Sequence, residues 1–143
     1  IDELNEASYD RGVTRFTAAE RETMQAIIID ELARVYEGTN IEFVTSQPAG
    51  DHDVIYLGAS NSSTDSLGVA AGDAGNRNTS TYAEVFPNGD PNSLAARVPK
   101  VFTGNFGNHI GFGGSREASV RGFANAIAGT AAHELGHSFG LLH

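Results

Sequence analysis

The chain has 143 residues, 40% hydrophobic and 19% charged, the balance of a globular protein long enough for one core but not two. Its formal net charge is −9, with Lys100 the single lysine beside eight arginines, which argues against nucleic acid or an anionic membrane as the main partner. There is no cysteine and hence no disulfide, and no stretch approaches the ~18–20 apolar residues of a membrane span.

The opening residues Ile1 to Glu6 are neither an initiator methionine nor a signal peptide, and a fragment cut at both ends is the expected reading. The first clear element is a helix from Thr17 to Glu37. Thr17 and Glu20 form a capping-box pattern, and Gly38 sits where a C-terminal stop belongs. Met24, Ile27, Ile28, Leu32, Val35 and Tyr36 follow helical spacing and make one apolar stripe, expected to lie against a sheet.

Ile41 to Thr45 and Val54 to Leu57 read as strands, rich in β-branched and aromatic residues and bounded by Pro48-Ala49-Gly50 and Gly58. The second is nearly all apolar, as in a strand covered on both faces. Leu67 to Ala71 and Tyr82 to Phe86 are weaker strand candidates. A helix, several short strands and a final helix predict an α/β layer, with helices packed on a twisted, mostly parallel sheet.

Two loop regions carry less than their composition suggests. Gly72 to Ser80 is a polar run whose Asp73 and Asn76 could offer oxygens to calcium. That ion needs about six to eight oxygen ligands, and the spacing is not that of an EF-hand, so a solvated turn is the stronger reading. Asn78-Thr79-Ser80 is formally a glycosylation acceptor, meaningful only in a eukaryotic secretory pathway. Phe102 to Gly114 holds five glycines without a phosphate-binding pattern and reads as a long, mobile connection. His52 and His109 read as loop histidines.

The final helix is predicted to start near Ser115, a suitable cap, with Glu117 in the favourable first turn. Val120, Phe123, Ala124, Ile127, Ala128, Ala131, Leu135 and Phe139 recur at helical spacing and would bury one side. His133, Glu134 and His137 interrupt the margin of that stripe and would face a cleft.

Those three residues open the string His133-Glu134-Leu135-Gly136-His137-Ser138-Phe139-Gly140-Leu141-Leu142-His143. Its five fixed positions arise by chance in on the order of one chain in 100,000 of this size. Residues four apart on a helix share a face, so His133 and His137 can hold one metal ion between them. Glu134 lies roughly 100° round the helix from His133, flanking the ion where it could serve a metal-bound water. Three protein ligands and one open position make a catalytic type of zinc site. The ion acidifies the water and the carboxylate takes its proton as a carbonyl is attacked. A third ligand at 143 on a continuing helix would point elsewhere. Gly140 can take φ > 0, stop the helix and fold the chain back towards the metal.

His-Glu-x-x-His-x-x-Gly-x-x-His resembles the signature of the metzincin zinc endopeptidases (astacins, serralysins, adamalysins, matrixins). The resemblance implies that His133, His137 and His143 are zinc ligands, Glu134 the general base and Gly140 the turn residue. The looser layout resembles a matrixin-type catalytic domain, which implies a zincin-like α/β fold. In it a backing helix and an active-site helix pack on a sheet whose antiparallel edge strand, here Leu67 to Ala71, pairs with substrate. The specific match covers residues 133–143. The family's methionine turn follows the third histidine, whereas the one methionine here, Met24, is far upstream. Residues 1–143 are therefore expected to be the upper part of the domain, with the lower subdomain missing, so that the isolated fragment need not be active.

The expected function is a zinc-dependent, secreted endopeptidase acting on polypeptide, through a zinc-bound water activated by Glu134. Zn2+ is the cofactor; calcium, and a second zinc at His52 and His109, lack the ligand patterns they need. The alternative is a zinc-bearing interaction or adhesion module that kept the site without the activity. A non-peptidase hydrolase using the same zinc–water chemistry is a further rival that nothing in the sequence favours.

Overall fold

A computed structural model describes residues 16–46, 48–50, 52–58, 66–70, 98–108 and 114–141. The expected strand Tyr82 to Phe86, the polar run Gly72 to Ser80, the polar stretch before Phe16, His109 and His143 lie outside the described residues. Two α-helices and one three-stranded sheet are present among those described: α1 (Ala18–Val35), β1 (Tyr56–Gly58), β2 (Gly68–Val69), β3 (Lys100–Phe102) and α2 (Arg116–Ser138). A 3₁₀-helix, Thr103–Asn108, follows β3 directly.

The helices start where their caps dictate. Thr17 Oγ1 accepts from Glu20 N–H at 3.2 Å, and Glu20 Oε2 accepts from Thr17 N–H at 2.7 Å, closing the capping box. Ser115 Oγ accepts from Ala118 N–H at 3.2 Å and opens α2 in the same way. Glu20 also holds Arg116, whose Nε and Nη2 lie 2.6 and 2.8 Å from its two carboxylate oxygens. The first turns of the two helices are thereby tied together.

The apolar stripes of the two helices meet in one core. Met24, Ile28 and Leu32 of α1 join Val120, Phe123, Ala124, Ile127, Ala128, Ala131 and Leu135 of α2 in one buried cluster. Phe123 anchors it, with ring centroids 5.3 Å from Phe16 and 5.8 Å from Phe106. Burying each of Phe123, Ile127 and Leu135 contributes about 1.5–3 kcal/mol before entropy is counted. Among the described residues α1 packs mainly on α2, its stripe shares the same buried cluster with Val101 of β3, and α2 packs on β3 and β2. Val35, read as part of the stripe, is 53% exposed.

The sheet is mixed rather than mostly parallel among the described residues. β3 is central, parallel to β1 (Leu57 opposite Val101) and antiparallel to β2 (Gly68 opposite Val101). β2 is thus an antiparallel edge strand within the span Leu67 to Ala71, and β1 overlaps the predicted Val54 to Leu57. Ile41 to Thr45 is not a strand. Its Ile41 N–H is taken by Thr39 Oγ1 at 3.3 Å, and Phe43 packs on Tyr36 with centroids 5.6 Å apart, so the segment follows the end of α1.

The stretch read as a mobile connection begins with β3 and the 3₁₀-helix. Phe106 is 1% exposed, a core residue that the surrounding glycines concealed. No helix among the described residues is long and apolar enough to cross a membrane.

Candidate metal centre

The last two turns of α2 carry His133, Glu134 and His137. The buried face of the helix passes through Ala131, Leu135 and Ser138, which leaves His133 exposed and His137 half-buried. The two imidazoles stand nearly perpendicular, at 89° with centroids 4.7 Å apart. Their Nε2 atoms converge to 3.2 Å. Two zinc–nitrogen bonds of about 2.0–2.1 Å at a tetrahedral angle span roughly 3.3 Å, so this pair fits the ion. The same separation suits an N–H···N hydrogen bond, which holds the rings together without a ligand.

The end of α2 is set by Gly140 at φ +88°, a left-handed conformation that an L side chain resists. Gly140 N–H donates to His137 C=O at 3.0 Å and Leu141 N–H to Gly136 C=O at 2.9 Å, the pair of bonds of a Schellman turn. The Leu141 side chain lies over Gly136, where an added Cβ would meet Leu141 Cδ1 at 3.4 Å. The reversal also brings Leu141 C=O to within 3.0 Å of His137 Nδ1. A residue-140 turn was legible in the sequence; its carbonyl contact with His137 was not, because a main-chain group leaves no letter.

Glu134, the residue after His133, is the most deeply buried of the three. It is 7% exposed and lies against β2, where a Cβ added to Gly68 would sit 2.5 Å from Glu134 Oε1. Of the expected polar trio, His133 is exposed, His137 half-buried and Glu134 buried beside β2. Tyr36, read only as part of an apolar stripe, donates its hydroxyl to Ala132 C=O at 2.9 Å and meets Phe139 edge-on at 5.6 Å. Burial pushes the Tyr36 phenol above its ordinary value.

Among the described residues no group of three or more His, Cys, Asp or Glu is placed to hold a metal ion. His143, the expected third ligand, is outside them. His52, considered for a second zinc, instead has Nδ1 2.7 Å from Gly50 C=O, a local loop bond. The sequence matches no protein-family model and no curated protein, and the structure matches no solved structure.

Proposed function

We propose that the chain carries the zinc site of a metzincin-like endopeptidase, with His133, His137 and His143 as ligands and Glu134 as general base. The observation that carries this reading is the 3.2 Å approach of His133 Nε2 to His137 Nε2 inside a motif that Gly140 ends at φ +88°. The mixed sheet with its antiparallel edge strand beside α2 supports a zincin-like upper subdomain. A bound zinc ion supplies Lewis acidity, which acidifies a water and polarises the scissile carbonyl.

The chain's own residues do the rest. His137 presents the Nε2 lone pair because its Nδ1 proton is given to Leu141 C=O. His133 offers its Nε2 once that atom is released from the contact with His137. Glu134 accepts a proton from the attacking water and returns it to the leaving amide nitrogen. Among the described residues β2 is paired on one side only, an arrangement that suits main-chain pairing with an extended polypeptide. The location proposed with this activity is extracellular.

Glu134→Gln tests the reading. Zinc affinity stays within a few-fold, while hydrolysis of a peptide panel falls by about 10²–10⁴. Hydrolysis that is undiminished in the variant rejects Glu134 as the base. Zinc binding without any hydrolysis by the full-length protein favours a non-catalytic zinc module.

A further inference from the structure

We infer that Gly68 sets the position of the Glu134 carboxylate, the missing side chain at residue 68 being the space that Glu134 fills. The catalytic consequence rests on the general-base reading above; the geometry does not. A Cβ on Gly68 would lie 2.5 Å from Glu134 Oε1, 2.8 Å from Cγ and 2.9 Å from Cδ. Carbon atoms in good contact are about 3.5–4.0 Å apart, so Cγ and Cδ are too close, and the oxygen Oε1 is closer still. Swinging the carboxylate tip alone cannot relieve the overlap, since Cγ is also within it. The whole side chain beyond Cβ has to move, and at 7% exposure Glu134 has little open space to move into.

Backbone conformation is not the reason for a glycine here. Gly68 is absent from the positive-φ glycines (Gly38, Gly58, Gly114 and Gly140), so an L side chain could adopt its main-chain geometry. The strand is also held against retreat. Phe102 N–H donates to Leu67 C=O at 2.8 Å, and Asn105 Nδ2 donates to Ser66 C=O at 2.7 Å. Ser66 Oγ donates to Gly68 C=O at 2.8 Å. Asn105 is itself only 4% exposed, so this anchor is part of the packed interior. On the opposite side, Ala131 and Leu135 fix α2 in the core. Glu134 is thus confined between a fixed strand and a fixed helix, and Gly68 is a positioning residue for it.

The test is Gly68→Ala introduced into the unsubstituted chain and into a Glu134→Ala background. Urea unfolding should show a lower midpoint for Gly68→Ala in the first. In the second the midpoint should be unchanged or raised, because the three clashing atoms are gone and alanine restricts the unfolded chain. Equal falls in both backgrounds overturn the inference. Zinc titration and peptide hydrolysis, measured on the full-length protein carrying the same substitutions, then separate positioning from general damage. Gly68→Ala should keep zinc affinity within about twofold and lower kcat by at least about tenfold, with KM changing less. Unchanged hydrolysis, or a zinc affinity that falls as far as kcat, also overturns it. Stability coupling between residues 68 and 134, with a full-length protein that binds zinc but cleaves no peptide, upholds the Gly68–Glu134 placement and rejects the peptidase reading alone.

Discussion

His137 Nδ1 lies 3.0 Å from the main-chain carbonyl of Leu141, four residues further on. A carbonyl can only accept, so the ring proton is on Nδ1 and the lone pair on Nε2, the atom 3.2 Å from His133 Nε2. Leu141 C=O occupies that place because Gly140 reverses the chain. One turn therefore ends the helix and selects the histidine tautomer suited to a metal.

Gly140→Ala should disturb both roles. Holding alanine at φ +88° costs about 1–2 kcal/mol, read as a lower urea midpoint. If the turn opens to relieve that strain, Leu141 C=O leaves His137 Nδ1, and zinc affinity should fall about 10–100-fold, as when an outer-shell partner of a ligand is lost. Full zinc affinity in a destabilised variant would assign the turn to the fold alone.

Leu135 couples the site to the core in another way. It is 3% exposed and shares its helical turn with His133, Glu134 and His137. Leu135→Ala should destabilise the chain by about 2–4 kcal/mol through the cavity it leaves. It should also weaken zinc binding, because the packing that holds this turn rigid fixes the separation of the two imidazoles. Isothermal titration at a temperature where the variant is still folded measures this directly. Zinc affinity equal to that of the unsubstituted chain would disconnect core packing from ligand geometry.

Much of α1 and α2 was legible because their signals are local: Thr17 with Glu20, Ser115, and apolar residues recurring along one face. The i, i+4 pairing of His133 with His137 follows from the same helical period, and the Gly140 turn from a glycine's access to positive φ. What failed were features decided by distant partners. Ile41 to Thr45 has strand composition but gives its contacts to the end of α1, through Thr39 and Tyr36. β3 and the 3₁₀-helix are short, and Phe106 is anchored by Phe123 from another element. The burial of Glu134 beneath Gly68 depends on a strand some sixty-six positions away in sequence, beyond the reach of any periodicity.

The pairing of Glu20 with Arg116 predicts an acid-sensitive contribution to stability. The Arg116 guanidinium, with the Thr17 N–H, holds the Glu20 carboxyl at about 2 instead of 4.5. The folded-state value is the lower one, so the unfolded chain takes up the proton first as pH falls. The contribution is whole above about 4.5 and is lost between there and about 2. Arg116 is 36% exposed on its side chain. Solvent screens such a pair, and its worth is about 1 kcal/mol or less. Urea midpoints at about pH 6 and about pH 3 should therefore drop less in Glu20→Gln than in the unsubstituted chain. An identical drop in the two would show that other carboxylates carry the acid response.

Tyr36 joins the end of α1 to the turn that begins the metal centre, since its hydroxyl donates to Ala132 C=O, the residue before His133. Tyr36→Phe removes that bond while keeping the ring that meets Phe139 at 5.6 Å and Phe43 at 5.6 Å. The loss in stability should be about 0.5–1.5 kcal/mol, the net worth of one such hydrogen bond. If the bond serves only to dock the helices, zinc affinity will not change. Because α2 is held there on the buried side of the turn carrying both histidines, the expectation is a measurable weakening, smaller than in Gly140→Ala, where the partner of His137 itself is displaced. Titrating zinc into the two variants side by side gives that order, and a Tyr36→Phe effect larger than that of Gly140→Ala would place the main support of the histidine pair on α1 instead of on the turn.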